Sequence, residues 1–281
     1  MSAGTLFVVA TPIGNLGDFS PRAVETLSTV DFIAAEDTRV SARLLHRFAI
    51  KTPQISYFEH NRREKGERIA ARLLAGESCA LITDAGTPAI SDPGFDLVAL
   101  CRESGIPVAA VPGCSAVVTA LSISGMACGR FTFEGFLSMN KRQRREHLAS
   151  LKGEKRTMVF YEAPHKLLRT LADLRDTLGD REVAVCRELT KLHEEVLRTT
   201  LQGALAHFGE TAPRGEFVLV VAGAEGLSSE ADELPALDPM DAVRELVHEG
   251  GSVRDAVKQV AQELGVPRNA LYRQALEDLE G

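Results

Sequence analysis

Apolar residues fall into two patterns that alternate along the chain. Short β-branched runs at 6–10, 32–35, 54–57, 80–83 and 108–111 have the length and make-up of buried strands. Between and after them, segments 21–29, 39–48, 64–76, 94–104 and 115–124 repeat apolar residues every three or four positions, the period of an amphipathic helix. Strands spaced by helices predict βαβ units and a parallel sheet. The second half is less regular, with strands at 132–135, 158–161, 183–186, 195–199 and 217–221 and helices near 142–152, 165–178 and 201–208. No helix precedes the run from Glu195, so this second sheet is expected to be mixed.

After Gly226 the pattern stops. Residues 226–238 are Ser-, Pro- and acid-bearing without periodicity and read as a linker. Three short helices are expected at 239–249, 253–264 and 268–279. Ser252 can cap the second, with Asp255 three residues on. Gly265 can end it and Pro267 can open the third, in the outline of a helix-turn-helix. The expected division is an α/β domain over 1–116, a second over 117–226, and a helical domain over 238–281.

Charge changes this picture. The chain of 281 residues carries 32 Lys and Arg against 39 Asp and Glu, a formal net charge of −7. A net acid balance argues against a nucleic-acid partner, because phosphate contacts need bases. The deficit, however, lies wholly in residues 226–281, with 5 bases and 12 acids, while residues 1–225 carry 27 of each. Within the neutral part, nine bases against three acids occupy 38–72, including Arg39, Arg43, Arg62 and Arg63. Seven bases against two acids occupy 141–156, including Lys141, Arg142, Arg144 and Arg145. One such block is an ordinary solvated helix face. Two in an otherwise balanced region point to a polyanion, and these eight residues are its candidate contacts.

Other chemistry is excluded more simply. The apolar run at 6–10 is too short for a membrane span or a signal peptide. The five Cys have no metal-ligand spacing, no metal is expected, and their odd number fits reduced thiols in the cytoplasm. Phosphate-loop, dinucleotide-loop and zinc-protease motifs are absent.

In an open parallel sheet, ligands bind beyond the carboxyl ends of the strands. Three Gly/Pro-rich loops sit there: Thr11-Pro12-Ile13-Gly14-Asn15, Asp84-Ala85-Gly86-Thr87-Pro88 running on to Asp92, and Pro112-Gly113-Cys114-Ser115-Ala116. With no Trp and three Tyr in the chain, a ligand there would be held mainly by backbone groups. Polar residues also cluster at other strand ends: Glu36-Asp37-Thr38-Arg39, Glu59-His60-Asn61, Tyr161-Glu162, Arg187 to Lys191, and Gly215-Glu216.

The runs VVATPIGNLGDFSPRAVETL, AAEDTR, EHN, LITDAGTPAISDPG, VPGCSAVVTALSISG, FEGFL, FYEAPHKL and RELTKLHEEV resemble the small-subunit ribosomal RNA (cytidine-2′-O-)-methyltransferase I family, of the tetrapyrrole-methylase fold class. The likeness spans residues 5–225, and the helical tail also resembles that family's. One departure is visible: Tyr57-Phe58 stand where a further His before the EHN triplet is expected. The resemblance implies two α/β domains, a homodimer, and methyl transfer from S-adenosylmethionine to a ribose 2′-hydroxyl of a decoding-centre cytidine in 16S rRNA or the small ribosomal subunit. Carried over by motif position, it implies cofactor contacts at Pro12, Ile13, Gly14, Ala85, Gly86, Thr87, Ile90, Ser115, Ala116, Glu162, Leu189 and Glu216. Asp84 would add a carboxylate. A base must take the hydroxyl proton, and Asp37, His60, Lys191 and Asp92 are the candidates. The alternatives are a methylase of the same fold acting on a tetrapyrrole or protein side chain, or a helix-turn-helix DNA-binding regulator.

Overall fold

The computed structural model describes residues 3–59, 61–92, 94–224, 238–248 and 250–279. The chain divides into two compact units, Met1–Ala224 and Glu225–Gly281.

The first unit begins with β1 (Leu6–Val9), α1 (Pro21–Thr29), β2 (Phe32–Ala35), α2 (Thr38–Arg47), β3 (Gln54–Ser56), α3 (Arg62–Leu74), β4 (Cys79–Ile82), α4 (Gly94–Glu103) and β5 (Val108–Val111). The five strands pair in parallel in the order β3-β2-β4-β1-β5. Every residue of β2 and β4 is buried, because helices cover both faces of the sheet. Alternation sorts the side chains. Phe32, Ala34 and Leu81 face Ile69, Leu73, Leu97 and Cys101 of α3 and α4. Ile33, Ala35, Ala80 and Ile82 face Ala23, Leu27 and Leu45 of α1 and α2. The connections after the adjacent strands β1 and β4 therefore leave on opposite faces, which opens a crevice between them at the carboxyl ends.

Next come α5 (Ala116–Ser124), β6 (Phe131–Phe136), α6 (Lys141–Ser150), β7 (Thr157–Glu162), α7 (Leu167–Leu178), β8 (Glu182–Arg187), β9 (Glu195–Thr200), α8 (Leu201–Glu210) and β10 (Phe217–Val221). The second sheet has the order β6-β7-β10-β8-β9. Only β6 and β7 are parallel; the other three pairings are antiparallel. The mixed sheet expected from the missing helix before Glu195 is what forms. One face packs Met158, Phe160, Val185 and Leu219 against α7 and α8. The other packs Val159, Ala184, Cys186, Val218 and Val220 against Val117, Ala120 and Leu121 of α5.

The second unit holds α9 (Pro239–His248), α10 (Val253–Leu264) and α11 (Arg268–Leu279) around Val243, Val257, Val260, Leu271 and Ala275. Ser252 caps α10 through Asp255 N–H, and Gly265 ends it at φ +65°. No helix among the described residues is long and apolar enough to cross a membrane.

Candidate active site

A cavity opens beyond the carboxyl ends of β1, β4 and β5. Its first wall is made of Ile13, Ala85, Gly86, Thr87, Ile90, Ser115 and Ala116. The three loops are stitched by their own polar groups. Thr11 and Gly86 exchange backbone hydrogen bonds of 2.9 and 3.1 Å. The buried Thr11 hydroxyl donates to Thr83 O at 3.1 Å, and the Thr87 hydroxyl to Cys114 O at 2.9 Å. Gly86 has φ +87°, and a Cβ there would lie 3.3 Å from Ile13 Cγ2. Ser115 precedes α5 without a side-chain capping bond, so the first N–H groups of that helix stay available to a ligand.

The second wall comes from the other sheet: Tyr161, Leu189, Glu216, Phe217 and Val218. Ile90 and Leu189, apolar residues on opposite walls, share an unusual setting. Ile90 lies between Ala89 (φ +69°) and Ser91 (φ +67°), and Leu189 between Glu188 (φ +50°) and Thr190 (φ +67°). Left-handed backbone at non-glycine residues costs about 1–2 kcal/mol each and collects at ligand-binding turns. Polar contacts hold both turns. Asp92 Oδ1 accepts from Ala89 N at 2.7 Å and from Gly94 N at 2.9 Å. Lys191 Nζ donates to Glu188 at 2.9 Å and to Glu216 at 2.8 Å, and Thr190 Oγ1 accepts from Asn15 N at 3.1 Å. This last bond joins the first loop to the second wall. Gly14 belongs to the same junction, since a Cβ there would come within 2.5 Å of Lys191 Cγ.

Seven of the thirteen expected cofactor residues line the first wall, and Leu189 and Glu216 line the second. Pro12, Gly14 and Asp84 flank the cavity rather than line it. Glu162 is a correction. It is buried, and it accepts from the Thr170 hydroxyl at 2.5 Å and from Ala163 N at 2.8 Å. Strand alternation sends it to the α7 face together with Phe160, while its neighbour Tyr161 reaches the cavity. Phe217 and Val218 escaped the sequence reading, which named Tyr161 only as part of a strand-end cluster and took Glu162 from it as the cofactor contact. The motif ends a strand, but only the packing of α5 on one face decides which alternate residue points to the ligand.

The candidate bases are also sorted by their surroundings. Asp37 caps α2 and holds Arg39 through both oxygens, at 3.0 and 2.6 Å. Those hydrogen bonds keep its carboxyl far below the ordinary range, which makes it a poor proton acceptor. Burial lowers the Lys191 ammonium, but its bonds to Glu216 and Glu188 outweigh this and raise it, so it stands here as a protonated donor. Asp92 is pushed upward by burial, against the two N–H groups it accepts. Asp84 is pushed upward by burial and by Glu36, which accepts from Thr83 Oγ1 at 2.5 Å. Asp84 in turn accepts from Asp37 N at 3.1 Å. His60 lies outside the described residues. No metal-holding group of His, Cys, Asp and Glu occurs among the described residues.

Of the expected RNA contacts, Arg39, Arg43, Arg62, Arg63, Lys141, Arg142 and Arg145 are exposed. Arg62 is paired with Asp96 at 2.8 Å, and Arg142 with Glu146 at 2.8 Å. Arg144 is a second correction. Its side chain is 7% exposed and bound to Asp173 at 2.6 Å and Thr170 at 2.8 Å. It belongs to the same buried network as Glu162, because helix periodicity turns position 144, like Leu148, toward the sheet.

The family described as Tetrapyrrole (Corrin/Porphyrin) Methylases matches residues 5–205, and the RsmI C-terminal HTH domain matches residues 233–279. Ribosomal RNA small subunit methyltransferase I of Synechocystis sp. is 52% identical over 98% of both chains. The chain belongs to the ribosomal RNA small subunit methyltransferase I family. The Pseudomonas aeruginosa member is 47% identical over 99% of this chain and 98% of its own. Beyond the family only the fold is shared. Diphthine synthase aligns with a TM-score of 0.59 at 13% identity, covering 78% of this chain and 89% of its own. Uroporphyrin-III C-methyltransferase of Thermus thermophilus, solved with S-adenosylhomocysteine, aligns at 0.54 and 18%, covering 78% and 97%.

Proposed function

We propose that the protein transfers a methyl group from S-adenosylmethionine to the 2′-hydroxyl of a decoding-centre cytidine ribose in 16S rRNA. The observation that carries this is sequence identity of about half over nearly the full length with proteins named ribosomal RNA small subunit methyltransferase I, joined to a cavity of matching chemistry. We also infer a cytoplasmic homodimer acting on the rRNA or the assembled small subunit. Exposed large apolar side chains support a second copy: Phe95 and Met139 are each 67% exposed, and Phe136 is 56% exposed. In functional terms the chain is read as parts 1–116, 117–226 and 238–281.

The residues present fit the cofactor. Gly86 provides a backbone cradle that a side chain would fill. The uncapped start of α5 offers N–H groups to a carboxylate. Ile13, Ile90, Leu189 and Val218 offer apolar contact to a flat base, and Glu216 adds negative charge for a cationic ligand. When bound, S-adenosylmethionine supplies an electrophilic methyl on a sulfonium. The protein's part is to hold the two partners in line, exclude water and accept the hydroxyl proton. Asp92 suits the last role: Oδ1 takes both turn bonds, and burial makes the carboxylate more basic. Exposed bases on α2, α3 and α6 meet the RNA phosphates.

The test is methyl transfer from labelled cofactor to small ribosomal subunits or 16S rRNA, with a porphyrin in parallel. Label in RNA alone is expected. Label in the porphyrin, with none in RNA, overturns the reading.

A further inference from the structure

The net charge of −7 in residues 226–281 suggests an acidic accessory bundle. The folded tail distributes that charge unevenly. Residues 226–252 carry one base and seven acids, whereas 253–279 carry four of each. Several acids are engaged inside the unit. Asp241 and Asp278 hold Arg244 at 2.7 and 2.6 Å. Asp238 caps α9 through Met240 N at 2.9 Å, and Asp255 accepts the Ser252 hydroxyl at 2.6 Å. The four bases of α10 and α11 are different. Arg254, Lys258, Arg268 and Arg273 are all exposed, and none makes an ion pair with a described residue.

These bases are also placed together on their helices. Leu271 and Ala275 turn α11 toward the core. At 100° per residue, Arg268, Tyr272, Asn269 and Arg273 then follow one another around an arc of about 140° on its first two turns. All four are exposed, and Glu277 marks the end of the arc one turn further on. On α10, Arg254 and Lys258 stand one turn apart, exposed along the flank of the buried stripe of Ala256, Val257, Val260 and Ala261.

We propose that the basic arc of α11, led by Arg268 and Arg273 and joined by the exposed Arg254 and Lys258 of α10, binds the phosphate backbone of the RNA substrate. It would give the enzyme a second RNA contact besides the basic helices of the catalytic unit; the proposal rests on the RNA-methylating function above. Guanidinium groups without an ion pair among the described residues suit phosphate, to which they can donate two hydrogen bonds at once. Asn269 adds a polar donor, and Tyr272 a ring on which an unpaired base can stack. A protein partner would call for an apolar anchor, and the arc offers only the partly exposed Tyr272.

The test uses the full-length protein and two double variants, Arg268→Gln/Arg273→Gln and Arg254→Gln/Lys258→Gln, with Glu277→Gln as control. Affinity for 16S rRNA and for small subunits is measured across salt concentrations, beside cofactor affinity and kcat. Two lost phosphate contacts reduce the slope of log K against log salt by about 1.4–1.8 and weaken binding roughly 10-fold near 0.1 M salt. The first pair should show this, the second pair a smaller version, and the control none. Cofactor affinity and kcat at saturating RNA should hold. Unchanged affinity and slope in the first pair overturn the proposal. So does weaker subunit binding at an unchanged slope, the mark of a protein partner. Should the first pair lose its helical signal, Arg268→Lys/Arg273→Lys decides: retained slope supports the proposal, and a slope as low as the Gln pair's contradicts it. Failure of the wild-type protein to methylate RNA would instead count against the proposed function.

Discussion

The two sheets of the catalytic unit build opposite walls of one cavity by different means. In the first sheet all five strands run the same way, so every carboxyl end lies on one edge. Three loops meet there, and they contribute mostly backbone: Gly86, the uncapped start of α5, and the turn bound by Asp92. In the second sheet three of four pairings are antiparallel. Its wall therefore combines side chains from a strand's carboxyl end (Tyr161) and a strand's beginning (Phe217, Val218) with the turn carrying Leu189. Parallel topology concentrates backbone donors for polar recognition. Mixed topology offers apolar side chains and an ion-pair cluster that holds the second wall's own turn, while Thr190 Oγ1 bonds that turn to Asn15 of the first loop.

This contrast predicts that changes of chemistry or backbone shape on the first wall cost more than side-chain truncation on the second. The largest effect is expected for Asp92→Asn, which keeps an oxygen for the turn but removes the proposed proton acceptor: kcat should fall about 10²–10⁴-fold. In the wild type, the acid limb of the rate–pH profile should lie above the ordinary aspartate pKa, because burial raises Asp92, and the variant should lose that limb. Gly86→Val adds a branched side chain at φ +87° beside Ile13 and should weaken cofactor binding roughly 100-fold by calorimetry. Leu189→Ala removes one apolar contact from the other wall and should weaken it only about 10-fold. Equal losses in the last two would erase the distinction between the walls.

Smaller effects concern what holds the second wall. Lys191→Met leaves Glu188 and Glu216 facing each other, and unfolding should become easier by about 1 kcal/mol, a modest figure because Glu216 is 78% exposed. The direction with pH follows from both partners. Lys191 is raised, so its contribution is complete below the ordinary lysine pKa and lost as pH rises through the higher folded value. Burial raises Glu188, but its bonds to Lys191 and to Glu216 N outweigh that and lower it. Its contribution is therefore complete above the ordinary glutamate pKa and lost as pH falls through the lower folded value. The variant should lie furthest below wild type between these limits in thermal melts. Smallest of all is Glu154, which Arg156 hydrogen bonds lower to about 2. Wild type should lose that support between pH 4.5 and 2, and Glu154→Gln should melt with a weaker acid dependence over that range.

Much of this architecture is written in periodicity. The ten strands and eleven α-helices among the described residues fall where the apolar pattern puts them, within about two residues, because buried strands and amphipathic helices leave distinct spacings. The three loops of the first wall were legible for a related reason: glycine and proline at strand ends report backbone conformation directly. Side-chain direction was not. Glu162 and Tyr161 are adjacent, and only the helices packed on each face decide which one meets the ligand. Arg144 sits in a basic run like its neighbours, yet its burial depends on Thr170 and Asp173, far along the chain. The left-handed turns around Ile90 and Leu189 left no glycine as a mark, since contacts from Asp92, Asn15 and Lys191 enforce them.

The central claim is that one ribose in small-subunit rRNA receives the methyl group. The direct measurement takes small subunits from cells lacking this protein, adds the purified protein with S-adenosylmethionine, and maps 2′-O-methylation along the 16S rRNA. The account predicts one new 2′-O-methyl, on a decoding-centre cytidine, that appears only when protein and cofactor are both present. A methyl on a base, or an rRNA map unchanged by the protein, would contradict it.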